Sequence, residues 1–211
     1  MIFEPKTNKE LEKAVNMWCR NKEKALEQYG EINSWNTSLI TNMSKLFMYK
    51  VQFNDNISNW DTSKVIDMRY MFYECFKFNQ YLNNWNIFAV NNTSHMFYNC
   101  KEFNQPLNNW NTFNVNNMDT VFNGCMNFNQ PLNNWDISNV TNIDYMFNGC
   151  KKFNQDLDNW NLKSLKCCTK MFHECCSYSY PLFNWTDYDI IMNTQIFDRA
   201  INKKSSKVKS I

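Results

Sequence analysis

Tryptophan stands at positions 35, 60, 85, 110, 135, 160 and 185, seven times at an unbroken spacing of 25 residues. A period of this size, held without insertion, means that one supersecondary unit is copied and that neighbouring copies bury each other's apolar faces. The chain of 211 residues therefore reads as one elongated unit: a helical cap over 1–34, seven coils over 35–200 and a basic tail over 201–211.

With Trp counted as position 1 of the coil, the apolar residues fall into columns. Position 13 is phenylalanine throughout (Phe47, Phe72, Phe97, Phe122, Phe147, Phe172, Phe197), and position 19 is Phe53, Phe78, Phe103, Phe128, Phe153 and Tyr178. Position 16 is cysteine in five coils (Cys75, Cys100, Cys125, Cys150, Cys175). Position 23 is Ile57 and then leucine from Leu82 to Leu182, and position 6 runs from Ile40 through Val65, Val90, Val115 and Val140 to Leu165. These columns, with Trp60, Trp85, Trp110 and Trp135, form the expected inner wall. From position 6 to 16 the apolar steps are helical, and a Ser or Thr at position 3 or 4 stands where an N-cap belongs, so a short helix or helical turns are expected there. Pro106, Pro131 and Pro181 at position 22 suit the first residue of a strand, so a short parallel strand is expected near positions 22–25. The fold class that follows is an α/β repeat solenoid.

Asparagine fills position 20 (Asn54, Asn79, Asn104, Asn129, Asn154) and position 25 (Asn59, Asn84, Asn109, Asn134, Asn159, Asn184). A carboxamide both donates and accepts, so stacked copies can bond one another and satisfy turn backbone that water does not reach.

Terminal coils would expose apolar faces, so caps are required. Thr7-x-x-Glu10 has the form of a capping box and opens a helix in which Leu11, Val15, Trp18, Ala25, Leu26 and Tyr29 recur at helical intervals, with Gly30 as a stop. Residues 186–200 are expected to seal the other end. The tail, with Lys203, Lys204, Lys207 and Lys209, reads as a solvated terminus.

FNQPLNNWNTFNVNNMDTVFNGC (103–125) and FNQPLNNWDISNVTNIDYMFNGC (128–150) resemble the repeat of BspA-like leucine-rich-repeat proteins, in the variant first catalogued as a mycoplasma lipoprotein domain of unknown function. Residues 3–47 are similar to the leader that precedes such repeats in protist and giant-virus members. The resemblance implies a leucine-rich-repeat-like solenoid. It also implies partner binding or, in surface members, adhesion, and no enzymatic reaction. Surface members carry export or lipidation signals; MIFEPKTNKELEK has no apolar h-region, so a cytoplasmic protein is expected, in host cytoplasm or the virion if viral.

Formal charge is +2, from 22 basic and 20 acidic residues, too balanced for a nucleic-acid or acidic-membrane footprint. Catalysis has little to work with: two histidines, His95 and His173, and three glycines supply neither a nucleophile–base motif nor a phosphate cradle, and no cofactor is implied. Asp119 and Asp144 share position 10 in adjacent coils and read as a solvated face. In the sixth coil Cys167, His173 and Cys176 are weak metal candidates, because Cys168 and Cys175 sit in inward columns and point away from them. The column cysteines read as small core residues.

The sharpest asymmetry lies at outward positions. Position 4 is Ser or Lys in four coils but Phe88 and Phe113 in two neighbours; Tyr73 and Tyr98 pair at position 14, with Tyr70 at 11 and Tyr81 at 22. Exposed aromatics grouped on coils 2 to 4 would mark a contact with an unidentified protein partner, against the alternative that they fold down as extra core. The sequence alone leaves the oligomeric state unassigned.

Overall fold

A computed structural model describes residues 2–185 and Ile196. The capping residues form two helices where one was expected: α1 (Asn8–Arg20) and α2 (Lys22–Tyr29). Thr7 Oγ accepts from the Glu10 amide at the start of α1, and the Glu10 carboxylate takes the Lys6 amide in return. Asn21 ends α1 and begins α2, its backbone outside the helical region and its Oδ1 accepting from the Lys24 amide. Asparagine competes well for such a junction because its side chain replaces a lost helical bond. Gly30 then stops α2 at φ 69.

The coils overturn the α/β expectation. Among the described residues there is no helix beyond α2 except a single 3₁₀ turn at Ile32–Ser34, and no strand. The parallel pairing that exists is a row of isolated bridges at position 8, from Asn42 with Asp67 to Asn142 with Cys167, and not at positions 22–25. Each coil is a succession of four-residue β-turns. In the third coil, for example, the amides of Val90, Met96, Tyr98, Cys100 and Phe103 each return to the carbonyl three residues back.

Backbone accounting explains why the helical spacing of positions 6–16 does not give a helix. Even-numbered amides at 12, 14 and 16 close turns inside their own coil; odd-numbered amides at 9, 11, 13 and 15 reach to the next coil, as Thr93, His95, Phe97 and Asn99 do to Asn117, Asp119, Val121 and Asn123 at 2.7–3.1 Å. A helix would consume every amide internally and leave the coils joined by side chains alone. Turning alternate amides sideways requires left-handed backbone at position 11 (Lys45, Tyr70, His95, Thr120, Tyr145, Lys170) and position 15 (Tyr49, Glu74, Asn99, Gly124, Gly149, Glu174), with φ between 49 and 73. Runs of i to i+3 turns place side chains on one face at steps of three, which is why the apolar pattern imitated a helix.

The presumed N-caps have a different task. Thr37, Thr62 and Thr112 at position 3 donate Oγ–H to the position-2 carbonyl of the following coil at 2.8–2.9 Å. The presumed strand at 22–25 is another turn, closed by the Trp amide on the position-23 carbonyl, as in Trp110 to Leu107. Proline at 22 precedes this turn, where no ladder amide is lost.

The inner wall is a set of stacked rings. Phe72, Phe97, Phe122 and Phe147 are fully buried and stack coil on coil at 5.5–5.7 Å between centroids, and each lies 4.0–4.3 Å from the position-19 ring of its own coil. Each buried indole of Trp60, Trp85, Trp110 and Trp135 donates Nε1–H to a position-23 carbonyl 28 residues back, as Trp110 does to Leu82, at 2.8–3.2 Å. The thiols of Cys75, Cys100, Cys125 and Cys150 point to the Phe carbonyl of the preceding coil at 2.9–3.0 Å. That carbonyl already takes an amide from its own coil, as Phe97 does from Cys100, so the thiol fills its second lone pair. Cysteine suits the column because it is small, apolar and still a weak donor.

The asparagine column at position 20 works through one atom. Oδ1 of Asn54, Asn79, Asn104 and Asn129 accepts the amide of the next coil's asparagine at 2.8–2.9 Å, and also a Gln Nε2 from position 21. Carboxamides there bond backbone rather than each other. Around the second corner the acceptors are the position-24 side chains Asn33, Asn83, Asn108 and Asp158, which take the position-25 amides of the next coil.

At the amino-terminal end the cap imitates a preceding coil. Asn8 Oδ1 takes the Thr41 and Asn42 amides, Phe3, Trp18 and Tyr29 pack around the Trp35 ring at 5.2–5.9 Å, and Ile32 supplies the carbonyl for Trp60. The expected seal at 186–200 and the tail at 201–211 lie outside the described residues, apart from buried Ile196, whose carbonyl accepts the Phe172 amide.

Candidate interaction face

Phe88 and Phe113 stand outside the core, with 52% and 48% of their surface open. The backbone at position 4 is fixed by the preceding turn: the amides of Phe88 and Phe113 bond to Oδ1 of Asn86 and Asn111, an Asx turn repeated at position 2 of every described coil from Asn36 to Asn161. Asn114 and Asn139 tie position 5 back to the Phe88 and Phe113 carbonyls at 2.7 and 2.9 Å. The backbone beneath both rings is thus fixed on both sides. Two further exposed apolar residues, Leu39 at position 5 and Ile66 at position 7, lie on the same arc of coils 1 and 2. Single residues gave no signal for these two, since they break no aromatic or polar column conspicuously.

The tyrosines form a separate group. Tyr73 and Tyr98 stack at 4.5 Å, Tyr70 packs beside Tyr73 at 5.7 Å, and all three are half-buried. No ring contact joins Phe88 or Phe113 to them among the described residues, so the six aromatics do not make one patch. Tyr81, 40% exposed, lies apart at position 22, its hydroxyl near Asn84 Oδ1 at 3.4 Å. Burial and the neighbouring phenols push the pKa of Tyr73 above the ordinary tyrosine value, keeping its hydroxyl neutral.

His95 belongs to this group, although no motif in the sequence set it apart. Its ring stacks on Tyr70 at 4.6 Å, and Nδ1 lies 3.7 Å from Asp119 Oδ2. Burial pushes its pKa below the ordinary histidine value while Asp119 pulls the other way. The shared column was the available signal, because Tyr70 and His95 both occupy position 11 of adjacent coils. Asp144, in the column of Asp119, is used by the backbone and accepts the Thr169 amide.

The sixth-coil metal candidates point to different partners. Cys176 Sγ approaches the Glu174 carbonyl, His173 at position 14 has Nδ1 3.4 Å from Asn148 Oδ1, and Cys167 takes part in the position-8 bridge to Asn142. Among the described residues no group of three or more His, Cys, Asp or Glu side chains is arranged to hold a metal ion. The buried thiols of Cys75, Cys100, Cys125, Cys150 and Cys175 have pKa values raised by burial, so they are protonated at neutral pH. No described helix is long and apolar enough to cross a membrane.

A family model described as a mycoplasma protein of unknown function, DUF285, matches residues 14–123 and again 106–210. No curated protein and no solved structure matches the chain.

Proposed function

We propose, from the premise that the chain belongs to the DUF285 family of mycoplasma proteins of unknown function, that it is a non-catalytic protein-binding module. The observation that carries this reading is the pair Phe88 and Phe113: two large rings half open to solvent on adjacent coils, over backbone locked by Asn86, Asn111, Asn114 and Asn139. Exposed aromatics on a fixed scaffold are typical binding anchors, since little side-chain freedom is lost when they are covered. Ile66 and Leu39 extend the apolar surface toward the cap.

The double substitution Phe88→Ala and Phe113→Ala tests it. Capture of a partner from the native source is expected to be lost, while stability changes by no more than about 1 kcal/mol, twice the usual surface range. A loss of about 3 kcal/mol or more would assign the rings to the core, and unchanged capture would move the binding face elsewhere.

A further inference from the structure

The carboxyl end of α1 and the first coil enclose a crevice of about 500 Å³, lined by Trp18, Arg20, Lys22, Tyr49, Lys50 and Asp55 among others. Small-molecule sites commonly fall in the range of about 300–1,000 Å³. Two of its residues break the repeat at adjacent positions. Lys50 occupies position 16, where the next five coils carry buried cysteine, and it is half-buried. Tyr49 occupies position 15, where glycine or asparagine stands in three of the other coils; it holds a left-handed φ of 63 with a bulky ring that is 58% exposed. The left-handed backbone is shared by position 15 of every described coil, so what is particular to this one is the large exposed ring beside a lysine.

The charges in the crevice do not cancel. Asp55 is occupied twice, by the Trp18 indole N–H at 2.9 Å and by Lys22, whose ammonium also lies 4.9 Å from the Trp18 ring. Arg20 and Lys50 have no carboxylate within ion-pair distance among the described residues. Cys19 also lines the crevice, and its pKa is pushed up to about 11 by burial, so its thiol adds no negative charge. Tyr49 and Tyr73 meet edge to face at 5.4 Å and 84°, and more than half of the Tyr49 surface stays open.

We propose that this crevice binds a small aromatic anion, its acidic group held by Arg20 and Lys50 and its ring laid against Tyr49. Arginine and lysine together suit a phosphate or carboxylate, and the ring supplies the apolar wall that a charged cleft otherwise lacks.

The test is titration of the full chain with phenyl phosphate and, separately, benzoate, followed by amide NMR shifts, with inorganic phosphate as the ring-less control. Saturable shifts confined to residues 18–22 and 49–55 are expected for at least one of the two probes, at least tenfold tighter than for inorganic phosphate; which probe binds better tells phosphate from carboxylate. Lys50→Gln should weaken that binding at least tenfold. Tyr49→Gly should abolish the advantage of the aromatic probe while raising the melting temperature, because it removes the strained conformation. Equal affinity for aromatic and ring-less anions, shifts elsewhere in the chain, or full binding by Lys50→Gln overturns the proposal.

Discussion

The two arcs of each coil join neighbours by different means. Over positions 9–16 the backbone itself crosses, alternate amides bonding the next coil directly; over positions 20–25 and position 1 side chains cross, through asparagine Oδ1 and the Trp indole N–H. The contrast accounts for which columns vary. Position 11 reads Lys45, Tyr70, His95, Thr120, Tyr145 and Lys170, because the bond there belongs to the main chain and any side chain can ride on it. Position 20 stays asparagine from Asn54 to Asn154 because the side chain is the bond. Identity at position 20 therefore reports a side-chain connection, and variety at position 11 reports a surface free to specialise.

Both arcs rest on the position-13 rings, so the largest effect is expected there. Phe122 is fully buried, stacked on Phe97 and Phe147 and 4.1 Å from Phe128. Phe122→Ala should cost about 3–5 kcal/mol, a fall of roughly 6–20 °C in Tm at about 2–4 °C per kcal/mol. Because each coil rests only on its neighbours, hydrogen-exchange protection should drop in coils 3 to 5 before the cap. A melt unchanged within a degree would show that the ring stack does not support either arc.

The period, the ring columns and the presence of a helical cap were legible in the sequence, since each depends only on which residues recur. What the recurring residues build was not. Apolar steps of three arise from a helix and equally from consecutive turns, and the two differ in where amides point, which the side-chain pattern does not encode. The Thr at position 3 has the composition of an N-cap but bonds a carbonyl one coil away, a partner invisible to local reading. For the candidate face, the broken column singled out Phe88 and Phe113 but left exposure and extra core as alternatives, between which the fold decides; Tyr70, Tyr73 and Tyr98 fell into another group because position 11 and position 14 share a turn that position 4 does not. The twofold use of Asp55 and the crevice beside it depended on the fold of the cap over the first coil, at a separation of 37 residues from Trp18.

A second measurement sharpens the contrast between the arcs. Asn104 Oδ1 accepts from the Asn129 amide at 2.9 Å and from Gln130 Nε2 at 3.1 Å. Asn104→Ala leaves both donors without that acceptor and should cost about 1–3 kcal/mol. Asn123→Ala, at position 14 of the other arc, removes a side chain whose backbone makes the connection through its carbonyl to Asn99, and should stay within about 0.5 kcal/mol. Equal losses at the two sites would mean that the arcs are not joined by different groups.

The smallest effect concerns the conformation that lets the backbone cross. Glu74 holds a φ of 58 at position 15, where Gly124 and Gly149 adopt 73 and 71. A non-glycine residue in the left-handed region costs about 1–2 kcal/mol, while glycine gives back about 0.4–1 kcal/mol through the greater freedom of its unfolded chain. Glu74→Gly should therefore stabilise the chain by about 0.5–1 kcal/mol. The reverse change, Gly124→Ala, places a Cβ 2.1 Å from Asn99 Oδ1, so that side chain must move in addition to the φ penalty, and the melt should fall. Opposite signs for the two substitutions, read from chemical-denaturation midpoints at constant slope, would locate the strain in the crossing backbone. If Glu74→Gly destabilises instead, the glutamate side chain contributes to joining coils 2 and 3, and the division between a backbone arc and a side-chain arc fails at that position.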